Sequence, residues 1–118
     1  DLLWSRQFGT AGNDQLTSAA VDSSGLYVGG VTGDVLPGQT SAGGTDCFLR
    51  KYDLNGNEVW TRQFGTANAE KIYGVAVDNG SIYVGGDTNG ALGTALGSTD
   101  NFVRKYDANG NAQWTVQF

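Results

Sequence analysis

The stretch KYDLNGNEVWTRQFGTA, residues 51–67, comes again as KYDANGNAQWTVQF at residues 105–118, and its second half stands a third time at the front of the chain as LWSRQFGTA, residues 3–11. Aligning Trp4, Trp60 and Trp114 sets periods of 56 and 54 residues. Within that frame SAAVDSSGLYVGGVT (18–32) matches GVAVDNGSIYVGGDT (74–88) without a gap. TDCFLRKYDLNGNEVW (45–60) matches TDNFVRKYDANGNAQW (99–114) in the same way. The two-residue difference falls in the Gly-rich stretches 33–44 and 89–98. Loops belong there, because insertions are absorbed where the backbone runs over the surface.

Each repeat holds four strand-length segments, in the first repeat residues 15–22, 26–32, 47–53 and 58–64. Ser-Ser-Gly separates the first two and Asn-Gly the last two. Asn-Gly between extended segments predicts a type I′ hairpin turn, since both residues accept positive φ. Four short antiparallel strands repeating at this spacing point to a propeller blade. The absence of a sustained 3.6-residue apolar period excludes a helical solenoid. The expected fold is therefore all-β: two four-stranded antiparallel blades plus one extra N-terminal outer strand, as part of a larger or oligomeric propeller. In boundaries, residues 1–14 form an outer strand of a preceding or shared blade with its crossover, 15–64 the first blade and 65–118 the second.

The composition agrees. The chain has 118 residues, one domain's worth, with 19 Gly, one Pro, 16% charged residues and a net charge of −5. High Gly in a disordered chain goes with few aromatic and β-branched residues. Here those residues recur at fixed places, so the glycines serve turns and close packing. The acidic balance argues against nucleic acid, which needs a basic stripe, and gives no gain at an anionic membrane surface. No apolar run approaches the length of a membrane span, and no signal peptide is expected within these residues. There is no Met, so Asp1 is not an initiator context, and the chain is expected to be a processed product or a portion of something longer. Cys47 has no partner, and its counterpart is Asn101. It is expected to be a buried spectator and not a catalytic thiol.

Side chains assign jobs to the segments. AAVD and VAVD suit a first strand near a crowded axis, and YVGG supplies a bulky residue followed by room for a neighbour. Trp60, Arg62 and Phe64 alternate onto one strand face, as do Trp4, Arg6 and Phe8, with Trp114 and Phe118 at the third occurrence. These are expected to pack between blades, the guanidinium lying between two rings. A ligand-binding aromatic cage is the sharper alternative.

The run W-x-R-Q-F-G-T, then A-V-D, Y-V-G-G and D-x-F-x-x-K-Y-D-x-N-G-N-x-x-W resembles the bacterial β-propeller repeat called SBBP. The resemblance covers nearly two full repeats and the tail of a preceding one. It implies secreted or cell-surface bacterial proteins with no uniform biochemistry, so it transfers no catalytic residues, and fold does not fix function.

Tests for chemistry return little. With no His, the usual base and imidazole metal ligand are missing. Asp22, Asp53, Asp78 and Asp107 sit before turns, where Asp caps backbone amides. Asp53, Asn55 and Asn57 offer oxygens at alternate positions, as a calcium turn would. An EF-hand, however, needs Gly at position six and Glu at twelve, where Glu58 and Phe64 stand, or Ala112 and Phe118 counting from Asp107, so no metal is expected and a looser calcium turn on Asp53, Asn55 and Asn57 is the alternative to a plain hairpin turn. No glycine-rich loop forms a phosphate cradle. No cofactor is expected. The loops 35–44 and 91–98 would form one rim, with Gln39, Thr40, Ser41, Thr45, Asp46, Thr94, Ser98 and Asp100 as candidate ligand-binding residues.

Two blades leave two apolar faces bare, and repeat folds need about three units for stability. Closure therefore calls for further blades of the same chain or for identical copies. Three chains would give six blades and four would give eight, with a head-to-tail interface. The leading functional expectation is a non-catalytic structural or assembly module. A lectin- or adhesin-like propeller binding carbohydrate or protein through its rim is the alternative, and an enzyme with a rim site the third class.

Overall fold

In the computed structural model, which describes residues 1–118, eight strands form where bulky β-formers alternate with small or polar residues. They are β1 (Asp14–Asp22), β2 (Gly25–Thr32), β3 (Asp46–Tyr52), β4 (Glu58–Phe64), β5 (Glu70–Asp78), β6 (Ser81–Thr88), β7 (Asp100–Tyr106) and β8 (Ala112–Gln117). The bounds lie within one residue of those expected for the first repeat. The strands form two antiparallel sheets, ordered β1-β2-β3-β4 and β5-β6-β7-β8. This is the all-β, two-blade arrangement expected, with no closed ring.

Glycine fixes local geometry where β1 meets β2. A bulge interrupts their register between Leu16 and Ser18, and the same bulge falls between Ile72 and Gly74 in the second sheet. Opposite each bulge a backbone carbonyl, that of Gln15 or Lys71, presses against the Cα of Gly30 or Gly86 and leaves no room for a Cβ. The second Gly of each YVGG is thus a backbone-approach residue. The bulged Thr17 turns its hydroxyl outward to donate to Ile72 O of the other sheet at 2.7 Å.

The core lies between the sheets. Tyr27, Cys47, Leu49 and Trp60 from the first sheet meet Ile72, Ile82, Val84, Phe102 and Tyr106 from the second. The first Gly of YVGG makes this packing close, since a methyl at Gly29 would lie 2.7 Å from Val75 Cγ2. Cys47 is fully buried, and burial pushes its thiol well up, which leaves it un-nucleophilic at neutral pH.

Two expectations are corrected. Residues 1–10 form no strand and join neither sheet. The segment enters no ladder and is held chiefly by its side chains, Trp4 bonding Leu54 O and Phe8 meeting Phe48. The Asn-Gly turns are also not type I′. Gly56 has φ +81° and Gly110 +79°, but Asn55 and Asn109 keep negative φ. Gly56 N donates to Asp53 O, and Asp53 N to Asn57 O, giving a type I turn closed by a left-handed glycine. The cause is Asp53, whose Oδ1 accepts from the amides of both Asn55 and Asn57 at 2.9 Å. Asp107 does the same for Asn109 and Asn111. The type I′ geometry appears instead at Asn79-Gly80, with φ +48° and +80°.

Candidate functional site

Two regions carry the candidate residues: the loop-bearing rim and the surfaces between sheets. At the rim, one glutamine of each outer strand clips down the loop beside it. Gln63 accepts from Leu36 N (2.9 Å) and donates to Asp34 O and Asp46 Oδ2 (both 2.8 Å). Gln117 accepts from Gly93 N (2.9 Å) and donates to Gly90 O (2.9 Å) and Asp100 Oδ2 (2.8 Å). The two aspartates hold the far side of each loop, through Ala42 N on Asp46 and Leu96 N on Asp100. Leu36 is buried beneath the first loop.

This sorts the rim candidates. Asp46 and Asp100 are buried loop anchors, and Gln39 is half-buried, its Oε1 accepting from Gln63 N. Thr40, Ser41, Thr94 and Ser98 stand exposed. Thr45 lines an open groove of about 540 Å³, together with Gly12, Asn13, Asp14, Gln15, Val31 and Gly33. The structure gathers no three His, Cys, Asp or Glu side chains around one point. In the proposed calcium turn both Asp53 oxygens are occupied, Oδ1 by two amides and Oδ2 by Asn57 Nδ2.

Those amide bonds act on the acids. Backbone donors from Asn57, Asn111 and Leu96 hold Asp53, Asp107 and Asp100 below the usual carboxylate range, and the Ser24 hydroxyl does so for Asp22. Lowered folded-state pKa values mean the unfolded chain takes up protons first as pH falls. The stabilisation is therefore complete above the ordinary Asp value of ~3.9 and is lost as pH drops through the folded values. Melting temperature should fall on acidification below about pH 4, and the double variant Asp53→Asn, Asp107→Asn should flatten that fall. Parallel melting curves against pH for the two proteins would refute the assignment.

Between the sheets, Trp60 Nε1 donates to Ala108 O (3.1 Å), and its ring stacks on Tyr106 with centroids 6.5 Å apart. The indole lies against Gly110, where a methyl would come within 2.8 Å of Trp60 Cδ2. Phe64 meets Phe102 edge-on at 5.9 Å. Arg62 was expected between two rings, and it is not. It lies over Trp60 alone (5.3 Å) and reaches across to donate to Gly110 O (2.7 Å) and Asn109 O (3.1 Å). The cation over Phe64 is Arg104 of the second sheet, at 4.4 Å.

The N-terminal arm, residues 2–8, repeats this seat on the outer side of the first sheet. Trp4 Nε1 donates to Leu54 O (3.2 Å), and the Trp4 ring lies against Gly56. Phe8 meets Phe48 edge-on at 5.5 Å, with Arg50 over its face at 3.9 Å. The crossovers match as well: Thr10 N donates to Asp14 as Thr66 N does to Glu70. The arm therefore occupies the place an outer strand of a preceding blade would take. The third occurrence is unseated. Trp114 is 45% exposed against 9% for Trp60, and Phe118 is exposed too. Sequence reading missed the glutamine clips, because a Gln on an outer strand reads as a solvated residue. Their signal was the recurrence of Gln at the same place in each outer strand, next to loops of unequal length.

Comparison with known proteins agrees with this arrangement. Residues 59–93 match the SBBP family, described as a beta-propeller repeat. The chain is 36% identical over 129 aligned positions to Regulatory protein FlaEY of Caulobacter vibrioides, an alignment that takes in 95% of this chain. It spans about 13% of that protein's length.

Proposed function

We propose that this chain, a carrier of the SBBP beta-propeller repeat, is a non-catalytic structural module whose blades associate side by side with further blades, supplied by identical copies or by more of the same polypeptide. The observation that supports it most is the repeated seat. One set of contacts, tryptophan on glycine and phenylalanine edge-on to phenylalanine, joins sheet to sheet and arm to sheet. It is ready a third time at Trp114 and Phe118, where nothing covers it. Exposed apolar faces of this kind mark association surfaces. A cyclic head-to-tail array of three or four copies would cover this third face. Light scattering with size exclusion on the full chain should give the mass of three or four chains. A monomer at every concentration would sink the homo-oligomeric form.

A second reading, a carbohydrate- or protein-binding propeller, is favoured by the groove at Thr45 and by the exposed Thr40 and Ser41 of the same loop region. Binding on a glycan array that disappears when loop 33–44 is exchanged for 89–98 would establish it. An extracellular or cell-surface bacterial setting accords with either reading and is checked by fractionation of the source cells.

A further inference from the structure

Where the chain crosses from β4 to β5, two buried carboxylates meet on one glycine. Asp46, which opens β3 of the first sheet, is 1% exposed, and Glu70, which opens β5 of the second, is fully buried. A methyl at Gly65 would press on Asp46 Oδ1 and lie 2.6 Å from Glu70 Oε2. Both oxygens therefore look into the same small space beside the crossover. We propose that this pair binds a calcium ion, which braces the first sheet against the second.

The four carboxylate oxygens are not equally provided for. Glu70 Oε1 accepts from the hydroxyls of Thr66 (2.5 Å) and Thr88 (2.8 Å), and Oε2 accepts from Thr66 N at 2.8 Å. Asp46 Oδ2 accepts from Ala42 N and Gln63 Nε2, both at 2.8 Å. Asp46 Oδ1 accepts from nothing. It is the one buried side-chain nitrogen or oxygen in the chain left without a hydrogen-bond partner, and it is aimed at the other carboxylate. An unsatisfied buried acceptor forfeits its hydration without return, and an unpaired buried charge costs more still. Neither acid has a cationic side chain to pair with, since the chain's one ion pair joins Arg50 to Glu58. Buried charges in proteins are paired or coordinate metals, and here the fold leaves the pairing to an ion from outside the chain.

The donors choose the ion. The chain has no His, and the adjacent Cys47 thiol is kept protonated by its burial. Carboxylate oxygens without a soft donor suit a hard cation such as calcium, and not zinc or copper. Two carboxylates make a low charge count, which places the affinity in the weak range of extracellular calcium modules, about 10⁻⁴–10⁻³ M. Asp46 holds the first rim loop through Oδ2, so an ion on Oδ1 ties loop, first sheet and second sheet at one point. This inference is independent of the assembly reading, because both acids belong to the joint inside a single chain.

Thermal melting of the full chain tests it. The protein is stripped with a chelator and titrated with calcium chloride, against sodium chloride of equal ionic strength. The melting temperature should rise by at least about 5 °C at roughly ten times the dissociation constant, and calorimetry should count one ion per chain. Asp46→Asn should abolish the rise. Its amide oxygen still accepts from Ala42 N, and its nitrogen can donate to Glu70 Oε2. In chelator it should therefore melt no lower than the parent, which a mere loss of loop anchoring would not give. Asp53→Asn with Asp107→Asn removes the exposed turn acids and should keep the calcium response in full. Should Asp46→Asn fail to fold, Glu70→Gln carries the same expectation of a lost response. A parent that melts alike in calcium and in chelator overturns the proposal, as does a rise that survives Asp46→Asn or vanishes with the turn acids. If Asp46→Asn melts above a parent that ignores calcium, a proton shared with Glu70 satisfies the orphan oxygen, and the ion is wrong.

Discussion

Trp60→Ala should lower stability by about 3–5 kcal/mol, the usual cost of emptying a buried tryptophan site, whereas Trp114→Ala, the same residue in the same frame, should cost well under half of that. Trp60 is buried between two sheets, stacked on Tyr106, bonded to Ala108 O and laid on Gly110. Trp114 has only its own sheet, chiefly Tyr83, to touch. The ladder of the first sheet does not pass through the indole, so the loss falls on the joint between sheets. Urea denaturation should show a lower midpoint for Trp60→Ala together with a smaller slope, as the sheets begin to melt separately. Equal costs at the two positions would mean that the tryptophans act within their own sheets and not across the joint.

Gly110→Ala and Gly80→Ala form a matched pair with the second large effect. Both glycines have left-handed backbones at nearly the same angle, φ +79° and +80°. An alanine there carries the ordinary penalty of that conformation, about 1–2 kcal/mol. At Gly80 the added methyl meets only Ala108 Cβ at 3.4 Å, so that penalty is the whole expected effect. At Gly110 it runs into Trp60 Cδ2 at 2.8 Å and Arg62 Nη2 at 3.0 Å, which should add ~1–3 kcal/mol of overpacking. Thermal denaturation of the two variants isolates the contact from the backbone term. If they fall together, the tryptophan seat contributes nothing at Gly110.

The strands were legible because the repeat supplies two readings of each segment, and turn residues punctuate both. The joint residues were legible for the same reason: Trp4, Trp60 and Trp114 recur at one place in the frame. What the residues touch was less so. Arg62 shares a strand face with Trp60 and Phe64, which suggests a sandwich. Its length instead carries it to the carbonyls of a turn 48 positions away, a partner that exists only once two sheets meet. The turn type escaped because Asn-Gly alone favours one geometry, and the carboxylate two residues upstream imposes another by capping two amides. The arm has the letters of an outer strand, yet strand character needs a neighbour's backbone, and sequence cannot say whether that neighbour is present. At the rim, Asp46 and Asp100 looked like ligand-binding residues because acidic side chains in loops usually face water, and the glutamines that turn them inward lie 17 positions further on.

Those clips also decouple the rim from the blade. Loops of different length hang from the same three bonds of Gln63 and of Gln117, so apart from the buried Leu36 and the Gln39 contact in the first loop the strands beneath register little of what the loop between the clips contains. Outside those anchors such a rim can gain, lose or exchange residues at little cost in folding. Diversification of these loops is thereby separated from selection on the framework, and foreign segments grafted between the clips would be displayed in a fixed frame.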